Sequence, residues 1–574
     1  MVSSIHPYSE PTADYLQPTK PRKQACFKAC RRRKKRCDGN QPACSACSAW
    51  NVDCVYASGP QNMFDYNFPT PNSPLGIDLA SFVHNLPLTP LDFPLSPLPL
   101  NTSQLVSEDG GPSPDSLTLV DSSYPSSRNL STDPTSPAPS PEQTVQLENE
   151  FFARYHPLLP SIHKQSFQSR PRGPQGPLLS RPLEWAILAT AARTHRDVNV
   201  SSQASAFLQI AVDSLTQSPL LQENVLKNLQ AAVWCVYSLY NAGEIAKSVV
   251  LLAQAYSLAC LNGLNRLDDP SPNVPLAVQF SALESEECRC TLWALFILDR
   301  HINFLMGRHF VVDDTLWCVN YPLDDRSLQY GLRPDPERYD RDLASLASEN
   351  PNLSIGTSLT RFVCKASVIL GRTVKYKTIN PIPTHAGDAR SRLADFHELQ
   401  SALACFWVSL PVYVHNISEV PPENALQCVW LLIILHTCST VLFYITEAER
   451  RSPGDTNMPT QQQNFQCSYK SVDKVVATLR QISGLATDAV SNPMLASSYF
   501  LCCRFILVQW RLSQQQSYRL DLSLVSKVLE RMAQGQAHLP RIYKNVIDQE
   551  LARNMQEEGI VLHSLLPTDL CFLI

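Results

Sequence analysis

Six cysteines and six consecutive basic residues lie within thirty positions of this chain, in the segment ACFKACRRRKKRCDGNQPACSACSAWNVDC from Ala25 to Cys54. Cysteine sulfur forms disulfides or, as the thiolate, binds metal ions. A run of Lys and Arg binds anions, above all phosphate groups. The chemistry of this segment therefore depends on whether its cysteines pair with one another or hold metal.

The rest of the chain argues against a disulfide framework. The first twenty residues contain neither a basic nor an apolar region of the kind found in signal peptides. The other thirteen of the 19 cysteines lie singly in apolar stretches such as VWCVYSLY, or side by side as Cys502 and Cys503. That usage is typical of small buried side chains in a reducing compartment. We therefore expect an intracellular protein whose clustered cysteines bind metal.

The spacing of the six cysteines, C-x3-C-x6-C-x6-C-x2-C-x6-C, favours zinc. A close pair of cysteines lets two thiolates occupy neighbouring corners of a tetrahedron. Six thiolates cannot form two separate four-thiolate sites, but they can serve two zinc ions if two sulfurs bridge both metals. Turn-forming residues at Asp38-Gly39 and Gln41-Pro42 let the peptide fold back around the metals. The predicted ligands are Cys26, Cys30, Cys37, Cys44, Cys47 and Cys54.

These residues resemble the fungal zinc binuclear cluster (Zn2Cys6) family of transcription regulators. The shared elements are CRRRKKRCDG, Pro42 before the fourth cysteine, and a C-x2-C-x6-C ending in CVY. The resemblance implies that Cys26 and Cys44 bridge two structural zinc ions. It further implies that Cys30 and Cys37 complete one site and that Cys47 and Cys54 complete the other. The first pair departs from the family, because it is C-x3-C where the family has C-x2-C. The extra residue forms a bulge, weakens the cluster or is an error in the predicted gene.

The basic run lies between the second and third ligands, where we expect a short helix. In Zn2Cys6 modules this helix enters the major groove of DNA. From Arg22 to Tyr56 nine Lys and Arg face two Asp. With two Zn2+ and six thiolates the module keeps a charge of about +5, which favours binding to phosphate. A nuclear-import signal is the alternative interpretation of the same run, and both can hold.

The resemblance also divides the basic residues by role and implies recognition of CGG-like triplets. Arg33 and Lys34 are the candidates for base contacts, since Lys and Arg suit the O6 and N7 acceptors of guanine. The candidates for phosphate contacts are Arg31, Arg32, Lys35 and Arg36.

Charge and composition separate the DNA-binding part from the rest. Residues 1–58 carry a net charge of +6 and the other 516 residues carry −10, which together give the net charge of −4. Between Pro60 and Pro141 lie sixteen of the 45 prolines, eight acidic residues and a single basic one, Arg128. Such a segment cannot bury enough apolar surface to offset its ordering entropy, so we expect disorder. It is either a spacer or an activation-type segment that binds a coactivator, and no heptads for a coiled-coil dimer follow Cys54.

From about residue 142 onward the chain is predicted to be helical. NVLKNLQAAVWCVYSLY and EIAKSVVLLAQAYSLACLN form a helical hairpin broken at NAG, with Gly263 placed to terminate the second helix. The hairpin and the stretch ESEECRCTLWALFILDRHINFLMGRHFVVDD resemble the middle homology region of the same regulators. We therefore predict a small zinc binuclear cluster module and a large all-α domain joined by a disordered linker. The predicted divisions are a disordered tail 1–21, the Zn2Cys6 domain 22–58, the linker 59–141, the all-α regulatory domain 142–450, a loop 451–470 and a C-terminal helical part 471–574.

Enzymatic and membrane functions find little support. The charged residues of the second stretch, Glu286, Arg289, Asp299 and Arg300, are predicted to form structural ion pairs on helix faces, and no catalytic motif accompanies them. His163 and His436 have no second ligand at metal spacing. The apolar run VWLLIILHTCSTVLFYI is predicted to be a buried helix, and the terminal CFLI to be a chance match to a prenylation signal.

The sequence therefore predicts a nuclear, sequence-specific transcription factor that binds double-stranded DNA and no membrane. Any homodimer is expected to form through the helical domain. A second hypothesis is a promoter-associated scaffold without direct DNA contact, because the C-x3-C insertion impairs the cluster. An RNA-binding module is a weaker third, since the segment between the cysteines nearly lacks the aromatic side chains on which single-stranded bases stack.

Overall fold

The computed structural model describes residues 45–49, 139–170, 172–173, 176–177, 182–217, 224–271, 279–304, 310–323, 336–347, 359–379, 386–450, 460–482, 490–535 and 537–552. The chain divides into two compact units, residues 1–78 and 79–574. Helix α1 lies in the first unit and spans Ser45–Ala49. The predicted linker 59–141 lies outside the described residues except for its last three positions.

The second unit is built from helices, as predicted for its fold class. Its helices are α2 Pro141–Arg154, α3 Lys164–Gln168, α4 Pro182–Ala192, α5 Val198–Gln217, α6 Val225–Ala242, α7 Ile245–Leu261, α8 Ala282–Asn303, α9 Thr360–Ile379, α10 Ala386–Ser409, α11 Pro422–Arg450, α12 Thr460–Ile482, α13 Ala496–Ser513, α14 Gln516–Gln534 and α15 His538–Ala552. Short 3-10 turns cover Leu264–Arg266, Leu343–Leu346, Val412–His415, Ile417–Glu419 and Pro493–Leu495. Strands β1 Arg172–Gly173 and β2 Gly176–Pro177 form one small antiparallel pair.

Helix starts follow from capping chemistry that is visible in the sequence. Ser140 accepts a bond from the Gln143 N–H, and Gln143 accepts one from the Ser140 N–H, so a capping box opens α2 directly at Pro141. Ser281 and Glu284 make the same reciprocal pair at the start of α8. These caps satisfy backbone donors that the first helical turn leaves free.

The predicted hairpin is present as α6 and α7. Gly243, at φ 83°, ends α6, and Gly263, at φ 72°, follows the cap residue Asn262 of α7. Both positions need the left-handed conformation that glycine adopts without strain. Gly243 has a second role, because the ring of His538 lies where a Cβ would be. Helix α15 therefore packs on the turn of the hairpin.

Three helices form the centre of the core. In α6 every residue from Leu229 to Asn241 is buried, and in α8 nearly every residue from Glu286 to Asn303 is. In α11 an 18-residue window within Pro422–Tyr444 has a mean hydropathy of 1.9, so that the helix is long and apolar enough to cross a membrane by length and composition alone. Of that window 94% is buried inside the fold. The apolar run is thus a core helix, as predicted.

One predicted boundary is wrong. The loop was expected to run from 451 to 470, but α12 already begins at Thr460 and packs along α11. The first turn of α12 reads TQQQ, which has no apolar residue at helical spacing, so the pattern gave no signal there. Glutamine nevertheless has a good helix propensity, and tertiary packing of the later turns stabilises the whole helix.

Candidate DNA-binding module and the buried ion-pair centre

The metal-binding segment is represented in the structure by α1. This helix begins directly after Cys44 in the sequence and includes Cys47. The other predicted ligands and the basic run Arg31 to Arg36 lie outside the described residues. The donor set fits zinc, because thiolates are the ligands of structural zinc sites.

The buried cysteines of the helical body are unsuited to bind metal. Burial raises the pKa of Cys288, Cys438 and Cys502 to about 12 each. A metal ligand must be a thiolate, so such thiols are inert. Among the described residues no group of three or more His, Cys, Asp or Glu is arranged to hold a metal ion. The buried cysteines are packing residues, as predicted, but the same prediction is wrong for Cys260 and Cys405, which are exposed.

Helix α8 carries the charged residues singled out in the sequence. The first cluster of them connects α8 to Asp268, which follows α7, and to the segment 310–323. Arg289 donates to both oxygens of Asp268, at 3.1 and 2.6 Å, and to Glu286. Asp268 also accepts from the Asn320 N–H, and Glu286 from the Leu323 N–H. Burial opposes the charge on Arg289, but the bonds to its two carboxylate partners outweigh burial and raise its pKa. The cluster therefore ties the segment 310–323 to α8.

A second cluster lies three turns further along α8. Asp299, fully buried, accepts bonds of 3.0 Å from the Val311 and Val312 N–H groups and pairs with Arg300. The Asn303 amide donates to it as well, at 2.7 Å. Burial raises the pKa of Asp299 and lowers that of Arg300, and the charge of each opposes the effect on the other. Four donors converge on this one carboxylate.

The Arg300 side chain is enclosed by apolar surfaces. Its guanidinium carbon lies 4.0 Å from the ring centroid of Phe296 and 4.3 Å from that of Phe310, a cation–π sandwich. On a third side its stem passes Gly371 of α9, where a Cβ would lie 2.7 Å from Nε. Glycine is required at this position because the arginine occupies the space of a side chain.

Aromatic rings fill the space between the two charge clusters. Trp293 stacks on Tyr321 at 5.0 Å and meets Trp317 edge-on at 5.5 Å. Its indole N–H donates to the Asn320 carbonyl at 2.7 Å. Thus Trp293 holds the segment 310–323 by packing and by a hydrogen bond at once.

Sequence comparison assigns both parts of the chain. The profile of the fungal Zn(2)-Cys(6) binuclear cluster domain matches residues 24–62, and the profile of the fungal specific transcription factor domain matches residues 149–401. The chain belongs to the fungal Zn(2)-Cys(6) transcription factors. Its binuclear cluster domain binds two zinc ions, which confirms the predicted cofactor.

Curated relatives of this Zn(2)-Cys(6) factor are also fungal regulators. It is 25% identical over 366 residues to the citrinin biosynthesis transcriptional activator mrl3 of Monascus ruber, covering 58% of this chain and 69% of that protein. The citrinin biosynthesis transcriptional activator ctnR of Monascus purpureus matches equally over 366 residues, which is 61% of its length. The ascochitine biosynthesis cluster transcriptional regulator of Didymella fabae is 20% identical over 193 residues, 32% of each chain.

The ion pairs of the Zn(2)-Cys(6) factor have a structural role, as predicted, but they were expected on helix faces and lie in the interior instead. Glu286 is 1% exposed and Arg300 is 1% exposed. Each of the four charges has an oppositely charged partner, and Glu286, Asp299 and Arg300 also bond to backbone groups, which is typical of structural ion pairs. The family comprises transcription factors and not enzymes, which agrees with this geometry.

The partners of the buried charged residues could not be predicted from the sequence. Asp268 lies 21 residues before Arg289, and Asp314, which pairs with Arg372 and Lys375 of α9, is 58 residues before the nearer of them. Glu337 pairs with the fully buried Lys365 in the same way. No periodic pattern connects such residues, because the contacts arise only from the packing of the segments 310–323 and 336–347.

The two singled-out histidines are packing and capping groups. Nδ1 of His163 accepts the Ser166 N–H and caps α3. The ring of His436 lies 5.1 Å from that of Trp407, and burial lowers its pKa to about 3. Neither forms part of a metal site.

Proposed function

We propose that this chain is a nuclear, sequence-specific regulator of RNA polymerase II transcription that recognises CGG-like triplets through its zinc binuclear cluster. The observation that carries the proposal is the basic run between the second and third cysteines of a matched Zn(2)-Cys(6) domain. The zinc ions, when bound, neutralise and orient the thiolates and stabilise the fold of the module. The ligands proposed are Cys26, Cys30, Cys37, Cys44, Cys47 and Cys54.

The basic residues divide by role in this proposal. Arg33 and Lys34 contact base edges, and Arg31 with its remaining basic neighbours contacts phosphates. The segment 59–141 is a disordered linker that reaches a coactivator, and the helical body is the regulatory domain. Two of the relatives are named as activators of citrinin biosynthesis and a third as a regulator of the ascochitine biosynthesis cluster, which supports activation of biosynthetic genes as the direction of control.

Two substitutions in the full chain test the division of roles. Lys34→Ala should weaken binding to a CGG-type site by about 1–3 kcal/mol and leave binding to random duplex nearly unchanged. Arg31→Ala should weaken both DNAs alike and reduce the salt slope by about one. Equal losses from both variants on both DNAs would leave only general electrostatics.

The C-x3-C spacing motivates the alternative, a promoter-associated scaffold that does not touch DNA itself. Native mass spectrometry of the full chain distinguishes the two functions. Two zinc ions per chain with CGG binding support the cluster. If the chain instead binds one zinc ion, and deletion of Ala29, which shortens the first loop to C-x2-C, raises the number to two, the scaffold is favoured.

A further inference from the structure

Beyond Lys247 in its first turn, helix α7 presents a solvent-facing side without charge. From Ser248 to Asn265 the sequence contains no Asp, Glu, Lys, Arg or His. Helix α7 nevertheless lies at the surface, where Val250 is 58% exposed and Leu261 is 74% exposed. A surface helix of a soluble domain normally carries charged residues on its outer side. The exposed side of α7 therefore needs an explanation other than solvation.

The uncharged surface continues beyond the helix. Leu316, which is 58% exposed, lies close in space to the C-terminal end of α7, because the Asn265 amide donates to its carbonyl at 3.3 Å. We call this surface the α7 face, defined by Ala246, Val250, Gln254, Ser257, Leu261 and Leu316. Its three large apolar side chains expose on the order of 300 Å², the size of the largest apolar patch on an ordinary monomer.

We propose that the α7 face is the surface through which two copies of this chain associate, with their α7 helices antiparallel. This inference rests on the proposed function, because a single module that reads about three base pairs cannot address one gene. A second module must be held nearby, and no heptads after Cys54 provide a dimer element there. A dimer of identical chains uses the same patch on both copies, so the patch must complement itself.

Side-chain sizes on the α7 face satisfy that condition. With a two-fold axis between Ala253 and Gln254, Leu261 of one copy lies over Ala246 of the other. Val250 lies over Ser257 in the same way. Each large side chain then meets a small one, which is how packed helices interdigitate. A parallel arrangement would place large on large and small on small.

The charges at the two ends of α7 are also complementary. At the N-terminal end Glu244 precedes the helix and Lys247 lies in its first turn, with side chains 51% and 68% exposed. At the C-terminal end lie Arg266, whose side chain is 46% exposed, and Asp313, whose carbonyl accepts from Tyr256 of α7. Antiparallel pairing brings Glu244 toward Arg266 and Lys247 toward Asp313 of the other copy. Opposite charges at the rim fix orientation more than they add affinity.

The size of the surface sets the expected strength. Two copies bury on the order of 1,000 Å² in total, the low end for specific interfaces, so the dimer should dissociate in the micromolar range. Paired DNA sites then strengthen it, because a module bound to one triplet raises the effective concentration of the other.

Sedimentation of the full chain from about 0.1 to about 50 µM tests the dimer. The mass should rise from 64.1 kDa toward twice that value. Leu261→Glu should keep the chain at the monomer mass and weaken binding to paired triplets at least tenfold or so, with zinc content and binding to a single triplet unchanged. Val412→Lys is the matched control, since Val412 is 80% exposed on a different element.

The double variant Ala246→Lys with Leu261→Glu tests the register, because the two new charges meet across the antiparallel contact and should restore the dimer. Far-UV circular dichroism verifies that each variant is folded. A mass of 64.1 kDa at every concentration, or a dimer that Leu261→Glu does not affect, overturns the proposal. Failure of the double variant to restore the dimer overturns the antiparallel arrangement. A chain that dimerises but binds no DNA refutes the proposed function instead.

Discussion

Replacing Asp299 by Asn should destabilise the helical body severely. The carboxylate is fully buried and accepts from the Val311 and Val312 N–H groups, from Asn303 and from Arg300. Asparagine keeps the shape but removes the charge, which leaves the Arg300 guanidinium buried without its nearest counter-charge. Breaking a buried ion pair in this way costs about 3–5 kcal/mol. That is a large share of the roughly 5–15 kcal/mol that stabilises a typical domain.

A double-mutant cycle with Arg300→Met isolates the pair. Methionine keeps the apolar stem and removes the guanidinium, while Asp299 retains its two backbone donors. The double variant should cost about 1–3 kcal/mol less than the sum of the single variants. Urea unfolding measures each free energy, and hydrogen exchange at Val311 and Val312 reports whether segment 310–323 detaches first. Asp548→Asn, at a side chain 50% exposed, is the control and should change stability by less than about 0.5 kcal/mol.

A cost below about 1 kcal/mol for Asp299→Asn would refute the reasoning. It would mean that solvent reaches the pair, or that the Asp299–Arg300 contact is not what fastens the segment. The same conclusion would follow if the double variant cost the full sum of the two single changes.

Three other perturbations have defined outcomes. Burial lowers the pKa of His301 to about 4 and of His436 to about 3, both below the ordinary 6.5. The contribution of these neutral histidines to the free energy of unfolding is therefore complete above pH 6.5 and is lost as the pH falls toward those values. The free energy of unfolding should be lower at pH 5 than at pH 7.5, and His436→Phe should make this difference smaller. Gly371→Ala should cost about 1–3 kcal/mol in thermal unfolding, because the new methyl group lies against Arg300, whereas Gly535→Ala, with its nearest neighbour at 3.3 Å, should cost far less. A strong chelator should remove both zinc ions and abolish CGG binding while the helical circular dichroism of the body stays unchanged, since the described body contains no metal-binding group of its own.

What the sequence could predict was local. The zinc motif depends on the spacing of neighbouring cysteines, and the hairpin depends on apolar periodicity ended by Gly243 and Gly263. The start of α12 at Thr460 was missed because its first turn is entirely polar. Burial of the ion pairs was missed for another reason. Charged residues are assigned to the surface by default, and only the packed segments around Arg289 and Asp299 bring their distant partners together.

The contact between α15 and the hairpin turn has a consequence for synthesis. His538 lies against Gly243, and Tyr543 of the same helix stacks on Phe500 at 4.5 Å. The hairpin therefore leaves the ribosome almost 300 residues before the helix that covers it. At about 5–20 residues per second this interval lasts roughly 15–60 s. During that time the hairpin exposes apolar surface that chaperones can bind. The N-terminal module depends only on contacts between neighbouring residues, so it can bind zinc before the helical body has been synthesised. A premature stop codon before residue 538 would thus yield a chain that carries the DNA-binding module but cannot close its helical core.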